Sequence, residues 1–307
     1  MHYTLHQLQI FQKIVETESI TKAAEELFLT QPAVSIQLKK FQDQFSIPLT
    51  EVIGRKLYVT DFGHEIAAAA QVILSEVEAI NYKTMIYNNQ LAGKLKISVA
   101  STGKYVMPYF LAEFMREHRG VDLMMDVTNK SLVVKSMEQN EVDFSLVSVI
   151  PQQLNINQVE LLENKLFLVC SPKLNPAGKK SADQLIKEHP WIYREQGSAT
   201  RMAMETFIEG RKLSGYKKIE LTSNEAVKQA VVAGLGLSIM PLIGLKNVLQ
   251  SGEMQIMPYP GLPVTTKWNL IWHHAKKLSP VANAYLEHIN QHKERIRMEN
   301  FQWYTEY

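Results

Sequence analysis

The chain has a single cysteine, Cys170, among 307 residues, so no internal disulfide is available and a reducing compartment, the cytoplasm, is expected. It also lacks a long apolar run. The longest uncharged stretch, Ala230 to Leu245, is broken by Gly234, Gly236, Pro241 and Gly244 and falls short of the ~20 residues that cross a bilayer. Met1-His2-Tyr3-Thr4-Leu5 has neither the basic nor the apolar segment of a secretion signal. Gly234-Leu235-Gly236 lacks the third glycine and the helix start of a dinucleotide loop, and no Walker-type sequence occurs. His273-His274 stands without cysteine or a further histidine at metal-ligand spacing. No metal and no cofactor are therefore expected, and Cys170, at the end of an apolar strand, reads as buried and inert.

A strong excess of one charge is missing too. The 33 basic and 31 acidic side chains leave a net charge of +2. Residues 1–90 hold 7 basic and 10 acidic side chains, and residues 91–307 hold 26 and 21, which excludes a general basic footprint for nucleic acid. Any DNA contact has to be local. Lys39, Lys40, Arg55 and Lys56 fall between residues 31 and 60, opposed only by Asp43 and Glu51.

What is present is an ordinary globular composition, 46% apolar and 21% charged, with room for about two domains. Leu5, Leu8, Phe11, Ile14 and Val15 recur at helical spacing, as do Ile20, Ala23, Ala24 and Leu27. Thr30 then caps a third helix, predicted over about Gln31 to Gln44, with Pro32 in its first turn. Val34, Leu38 and Phe41 face inward, and Gln31, Ser35, Ile36, Lys39 and Lys40 face outward. Two short helices on a tight turn, the second exposing Gln, Ser and Lys, form a helix-turn-helix pattern. Such side chains hydrogen-bond base edges and phosphates. A small helical subdomain with a solvated polar face has the same pattern. Arg55 to Thr60 alternates as a strand and suits a basic wing.

From Asp61 a long helix carries Ile66, Ala70, Ile73, Val77 and Ile80 in alternating steps of four and three, the seam of a helix that dimerises or packs on its own domain. Asn88 to Gly93 reads as a hinge. The period then changes: Lys94–Val99, Val121–Val127, Val142–Val147, Lys165–Cys170, Trp191–Tyr193, Lys217–Leu221 and Gly236–Met240 are predicted strands. Helices are predicted near 108–114, 198–209, 224–233, 241–250 and 279–297, so residues 91–307 read as α/β, split into two lobes. Ligands of open α/β sheets gather at strand C-termini. There the chain places Ser101, Thr102, Lys104, Thr128, Asn129, Ser148, Arg194, Gly197, Ser198, Thr200, Arg201, Ser223 and Asn224. This set suits an anionic metabolite, although Ser, Thr and Asn at helix starts are also ordinary caps. No acid, base or nucleophile with a partner accompanies them, so no catalytic residue is assigned and an enzyme is not expected. The rivals are a solute-binding protein and an enzyme using the same two-lobed cleft.

The order Leu8-x-x-Phe11, Ser19-Ile20-Thr21-x-Ala23-Ala24-x-x-Leu27, Thr30-Gln31-Pro32-Ala33-Val34-Ser35, Ile47-Pro48-Leu49 and Leu57-x-x-Thr60-x-x-Gly63 resembles the LysR-type transcriptional regulators. Ser101 to Tyr105, Asn140 to Asp143, Arg194 to Arg201 and Ser223 to Val231 resemble the branch that regulates rubisco and carbon-fixation operons. The resemblance implies a winged helix-turn-helix over 1–60, a linker and dimerisation helix over 61–90, and an effector-binding domain over 91–307. That domain has two Rossmann-like lobes similar to type 2 periplasmic binding proteins, lobe I at about 91–163 and 265–307 and lobe II at about 164–264. It places Thr30, Gln31, Pro32, Ser35, Ile36, Gln37, Lys39, Lys40, Arg55 and Lys56 at DNA and Ser101, Thr102, Ser148, Ser198, Thr200, Arg201 and Ser223 in the coinducer cleft. Implied partners are double-stranded promoter DNA with an interrupted palindrome, a small anionic effector such as a phosphorylated sugar, an organic acid or a nicotinamide nucleotide, a second copy of the chain in a homodimer or homotetramer, and RNA polymerase. Ile36 stands where many members carry arginine, and Thr50-Glu51-Val52 stands where Phe, Glu or Gln and Arg are common after Pro-Leu, so weaker non-specific affinity and a flatter salt dependence of DNA binding are expected.

Overall fold

The computed structural model describes residues 3–54, 56–87, 91–175, 180–211, 213 and 217–307. Its contacts divide into two compact units, Met1–Gln90 and Leu91–Tyr307.

In the first unit α1 (Leu5–Thr17), α2 (Ile20–Glu26) and α3 (Gln31–Gln42) precede a hairpin of β1 (Thr50–Ile53) and β2 (Lys56–Val59), and α4 (Asp61–Tyr87) follows. Each early helix starts where a side chain replaces a missing intrahelical partner. Thr4 and Gln7 form a reciprocal capping box on α1, Ser19 caps α2 and Thr30 caps α3. Ala23 and Ala24 are buried, which lets α2 lie close against its neighbours, and Phe11, Val34, Leu38 and Phe41 complete the core. Helix α3 ends two residues before the expected Gln44. The turn into it contains Phe28 with φ 55° and a side chain 96% exposed.

The second unit continues with β3 (Ala92–Ala100), a 3-10 turn at Ser101–Tyr105, α5 (Met107–Glu117), β4 (Gly120–Thr128), α6 (Lys130–Glu138), β5 (Phe144–Val147) and β6 (Ile156–Cys170). Then come α7 (Ala182–Glu188), β7 (Trp191–Arg194), α8 (Ala199–Gly210), β8 (Lys218–Leu221), α9 (Asn224–Ala233) and β9 (Ser238–Pro241). The chain closes with α10 (Lys246–Gln250), β10 (Gln255–Ile256), β11 (Val264–His273) and α11 (Pro280–Phe301). Seven strands form one sheet in the order β10-β6-β11-β5-β3-β4, with β9 also on β6, and β7 pairs with β8 in a parallel ribbon. Strand β3 is parallel to β4 and β5, whereas β11 is antiparallel to β5 and β6.

Two lobes arise because β6 runs from one core into another and β11 returns. Leu161 and Leu162 lie in the first core with Phe110, Phe114, Trp268 and Tyr285, whereas Leu166 and Leu168 lie in the second with Trp191, Tyr193 and Phe207. The expected strand at 165–170 is thus the last six residues of a strand of 15. The expected helix at 241–250 is a 3-10 turn at Leu242–Gly244 followed by the short α10. Helices α6 and α7 and strand β10 were not expected. No helix among the described residues is long and apolar enough to cross a membrane.

Candidate functional site

The first unit presents α3 with its apolar residues turned inward. Gln31, Pro32, Ile36, Lys39 and Lys40 are exposed and Ser35 is half-buried. The Gln37 Oε1 accepts a hydrogen bond from Gln7 Nε2 at 3.2 Å, which ties α3 to α1 and leaves its amide N–H₂ and one oxygen lone pair for another partner. The hairpin pairs Glu51 with Tyr58 and Ile53 with Lys56. Lys56 is exposed beside the turn, while Arg55 and the hinge residues 88–90 lie outside the described residues. Val52 and Ile53 are exposed at the hairpin end, beside Lys56.

The seam on α4 is divided. Ala70 is fully enclosed in the core of its own unit and Ile66, half-buried, packs against that core, because α4 lies alongside α1 there. This corrects the assignment of Ala70 to dimerisation. The apolar positions left open begin at Ile73 and include Ile80, with Val77 half-buried.

In the second unit a tight cleft, with a cavity of about 10 Å³, is lined by Ala100, Ser101, Thr102, Asn129, Lys130, Ser148, Arg194, Ser198, Ala199, Thr200, Asn224 and Trp268. Its residues come from the ends of β3, β5 and β7, from the helix starts that follow, and from β11. Asn224 Nδ2 donates to Ser101 Oγ at 3.0 Å, which ties α9 to the turn after β3. Ser198 caps α8, its Oγ accepting from Arg201 N at 3.5 Å. Ala199 and Thr200 therefore bring a helix N-terminus to the cleft wall, where first-turn N–H groups and the helix dipole favour an anion.

Charge in this cleft has one sign. Arg194 and Lys130 are its charged lining residues, and no carboxylate lines it. Arg194 is 4% exposed. Its Nε and Nη2 donate to Glu195 at 2.7 and 2.8 Å, while its Nη1 is buried without a hydrogen-bond partner. Burial holds the Lys130 ammonium below the usual lysine range, and its Nζ reaches only Met202 Sδ, at 3.9 Å. A buried cationic donor left open is costly unless an acceptor joins it. An anionic oxygen satisfies the buried Arg194 donor, with the half-buried Lys130 on the same cleft wall.

Five residues expected in the cleft do not line it. The Lys104 ammonium lies over the Tyr105 ring, 5.1 Å from its centroid. Thr128 ends β4 away from the lining. Gly197 takes φ 82° and accepts from Ser131 N through its carbonyl, a turn that leaves no side chain for a ligand. Ser223 is an exposed cap of α9, accepting from Ala226 N. The Arg201 guanidinium is committed to Glu205 Oε1 at 2.8 Å, Glu220 Oε2 at 2.6 Å and the Arg194 carbonyl at 2.9 Å. Conversely, Lys130 and Trp268 line the cleft without having been read from sequence. A lysine directly after a capping Asn is a usable signal for the first, whereas the second sits on a return strand far along the chain and carries none. Cys170 is buried, with its thiol pushed up by burial, and no group of three metal-ligating side chains occurs among the described residues.

A capped helix-turn-helix with a wing, followed by a two-lobed α/β unit with a cationic cleft, defines the class of ligand-responsive transcriptional regulators. Residues 5–64 match the bacterial regulatory helix-turn-helix proteins of the lysR family, and residues 88–294 match the LysR substrate binding domain. The chain belongs to the LysR family of transcriptional regulators. It is 36% identical over 295 residues to the transcriptional activator CmpR of Synechocystis sp., covering 95% of this chain and 97% of that protein. It is 33% identical over 290 residues to the RuBisCO operon transcriptional regulator of Allochromatium vinosum, covering 94% and 96%. These relatives, with CbbR of Rhodospirillum rubrum, make it a CbbR-like regulator. They are regulators of transcription, neither solute-binding proteins nor enzymes. Among solved structures, the regulatory domain of CcmR from Synechocystis PCC6803 in complex with 2-PG, 2-phosphoglycolate, matches with a TM-score of 0.60 and 29% identity, over 64% of this chain and 95% of that one. Full-length CbnR complexed with its target DNA shares the fold, with a TM-score of 0.67 at 17% identity over 94% and 99%.

Proposed function

We propose that this regulator works in the cytoplasm as a homo-oligomer, reads an interrupted palindrome through α3 and the wing, and responds to a small phosphorylated carboxylate, of the class of 2-phosphoglycolate, bound between its lobes. In this reading residues 1–60 contact DNA, 61–90 link and dimerise through the open positions from Ile73 to Ile80, and 91–307 bind the effector. The bound complex acts on RNA polymerase at the promoter. The observation that carries the effector class is the open Arg194 Nη1 in a cleft with two cations and no lining carboxylate. The 2-PG complex of a 29% identical regulatory domain supports it. Ligand and DNA are linked by population shift: an effector that favours one lobe arrangement by about 1–3 kcal/mol changes the weights of two states about 5- to 150-fold.

The test is fluorescence anisotropy of the full chain on duplex from its own upstream region and on scrambled duplex, with 2-phosphoglycolate titrated in. A preference of about 10³-fold for its own DNA, a shift on adding ligand, and loss of that shift alone in Arg194→Ala are expected. Equal binding to both duplexes refutes the DNA reading. An intact ligand response in Arg194→Ala refutes the cleft assignment.

A further inference from the structure

The Trp268 side chain is fully buried, lines the cleft, and its Nε1 has no hydrogen-bond partner. Buried indole N–H groups ordinarily find an acceptor, so an open one needs an explanation. Gly103, in the turn of Ser101–Tyr105, comes close to the six-membered end of the ring: a Cβ there would sit 3.3 Å from Trp268 Cζ3, 2.7 Å from Val99 Cγ1 and 2.8 Å from Leu146 Cδ2. The same turn supplies the cleft with Ser101 and Thr102.

We propose that Trp268 is a second donor of the anion site, its indole N–H meeting an oxygen of the effector and so setting affinity for the anion. This rests on the cleft reading above and deepens it. Two buried donors, Arg194 Nη1 and Trp268 Nε1, and one buried acceptor, Asn224 Oδ1, have no partner among the residues that line this one cavity. An indole N–H donates and never accepts, and so does a guanidinium. The two donors accordingly suit the oxygens of an ionised phosphate or carboxylate, while Asn224 Oδ1 can take one ligand proton. Neither donor has to break an existing bond to reach the ligand, so the site is organised before binding.

The experiment uses the full chain, with 2-phosphoglycolate and inorganic phosphate as probes and isothermal titration as the readout. Trp268→Phe removes the N–H and keeps an aromatic ring. It is expected to weaken 2-phosphoglycolate about tenfold, the scale of one hydrogen bond to a charged group. Arg194→Ala serves as the reference. If Arg194→Ala loses binding and Trp268→Phe binds as the unaltered chain does, the tryptophan assignment is wrong and the cleft reading stands. If neither variant changes binding, the cleft reading itself fails. Should Trp268→Phe not fold, the difference between ultraviolet resonance Raman spectra of the unaltered protein with and without ligand settles the matter, because Trp268 is the tryptophan that lines the cleft. A tryptophan band characteristic of an unbonded indole N–H is expected before ligand addition and should move to the bonded position with it. Bands that stay fixed on saturation, as for an indole already bonded to water, overturn the proposal.

Discussion

Arg194 and Arg201 stand seven residues apart and both look like anion ligands in the sequence, yet the structure gives them different work. Replacing Arg201 by alanine removes bonds to Glu205, Glu220 and the Arg194 carbonyl and a guanidinium 5.8 Å from the Tyr193 ring centroid. Breaking a fully buried pair costs about 3–5 kcal/mol, and an exposed pair contributes about 0–1 kcal/mol. The Arg201 side chain is 10% exposed, but those of Glu205 and Glu220 are 33% and 54% exposed, so both carboxylates are easily rehydrated. The loss should therefore fall between these limits, at about 2 kcal/mol. For a unit of this size each kcal/mol moves the thermal midpoint by about 2–4 °C, which gives a drop of about 4–8 °C by differential scanning calorimetry. Affinity for 2-phosphoglycolate should change by much less than the roughly tenfold of a lost charged contact, because the guanidinium faces its own carboxylates. An unaltered midpoint together with lost ligand binding would refute this reasoning and return Arg201 to the cleft.

Other outcomes follow from the same geometry. Gly63→Ala places a Cβ 2.1 Å from the Leu49 carbonyl oxygen and 2.8 Å from Val59 Cγ1; the winged unit should lose about 3 kcal/mol, seen as lost DNA binding with 2-phosphoglycolate binding retained. Lys39→Ala should lower the slope of log affinity against log salt by about one, and an unchanged slope would remove Lys39 from the phosphate contacts. Burial among Phe114, His118 and His292 holds His288 below its ordinary 6.5, against the pull of Glu113 and Glu117. A histidine whose folded pKa is depressed favours the fold while neutral, so this stability is present above the unfolded value of about 6.5 and is lost as pH falls below it and through the lower folded value. The thermal midpoint of the regulatory unit should fall as pH is lowered below about 6.5, and His288→Phe should flatten that fall.

These cases also mark where sequence reasoning reaches and where it stops. The helix-turn-helix was legible because its determinants are local: Thr30 caps the helix that Pro32 begins, and Ala23 and Ala24 declare a close helix contact within a few residues. Most of the cleft was legible for the same reason, since Ser101, Asn129, Ser198 and Asn224 are strand-end and cap residues whose places follow from the βα rhythm. The first part of β6 was hidden because it is held by β11, with Asn157 opposite Trp272 and Lys165 opposite Thr265, pairings about a hundred residues apart that no local pattern announces. The seam on α4 misled for a related reason: a heptad says that a stripe is covered and not by what, and Ala70 is covered by its own unit. The two arginines make the point most sharply. Local spacing treats them alike, and what separates them is Glu220 on β8, which neutralises Arg201 at 2.6 Å, while Arg194 has only its neighbour Glu195 and keeps Nη1 open. A charge becomes a ligand only where the fold withholds its last partner, so the residues that decide affinity are those whose hydrogen bonds the protein leaves incomplete.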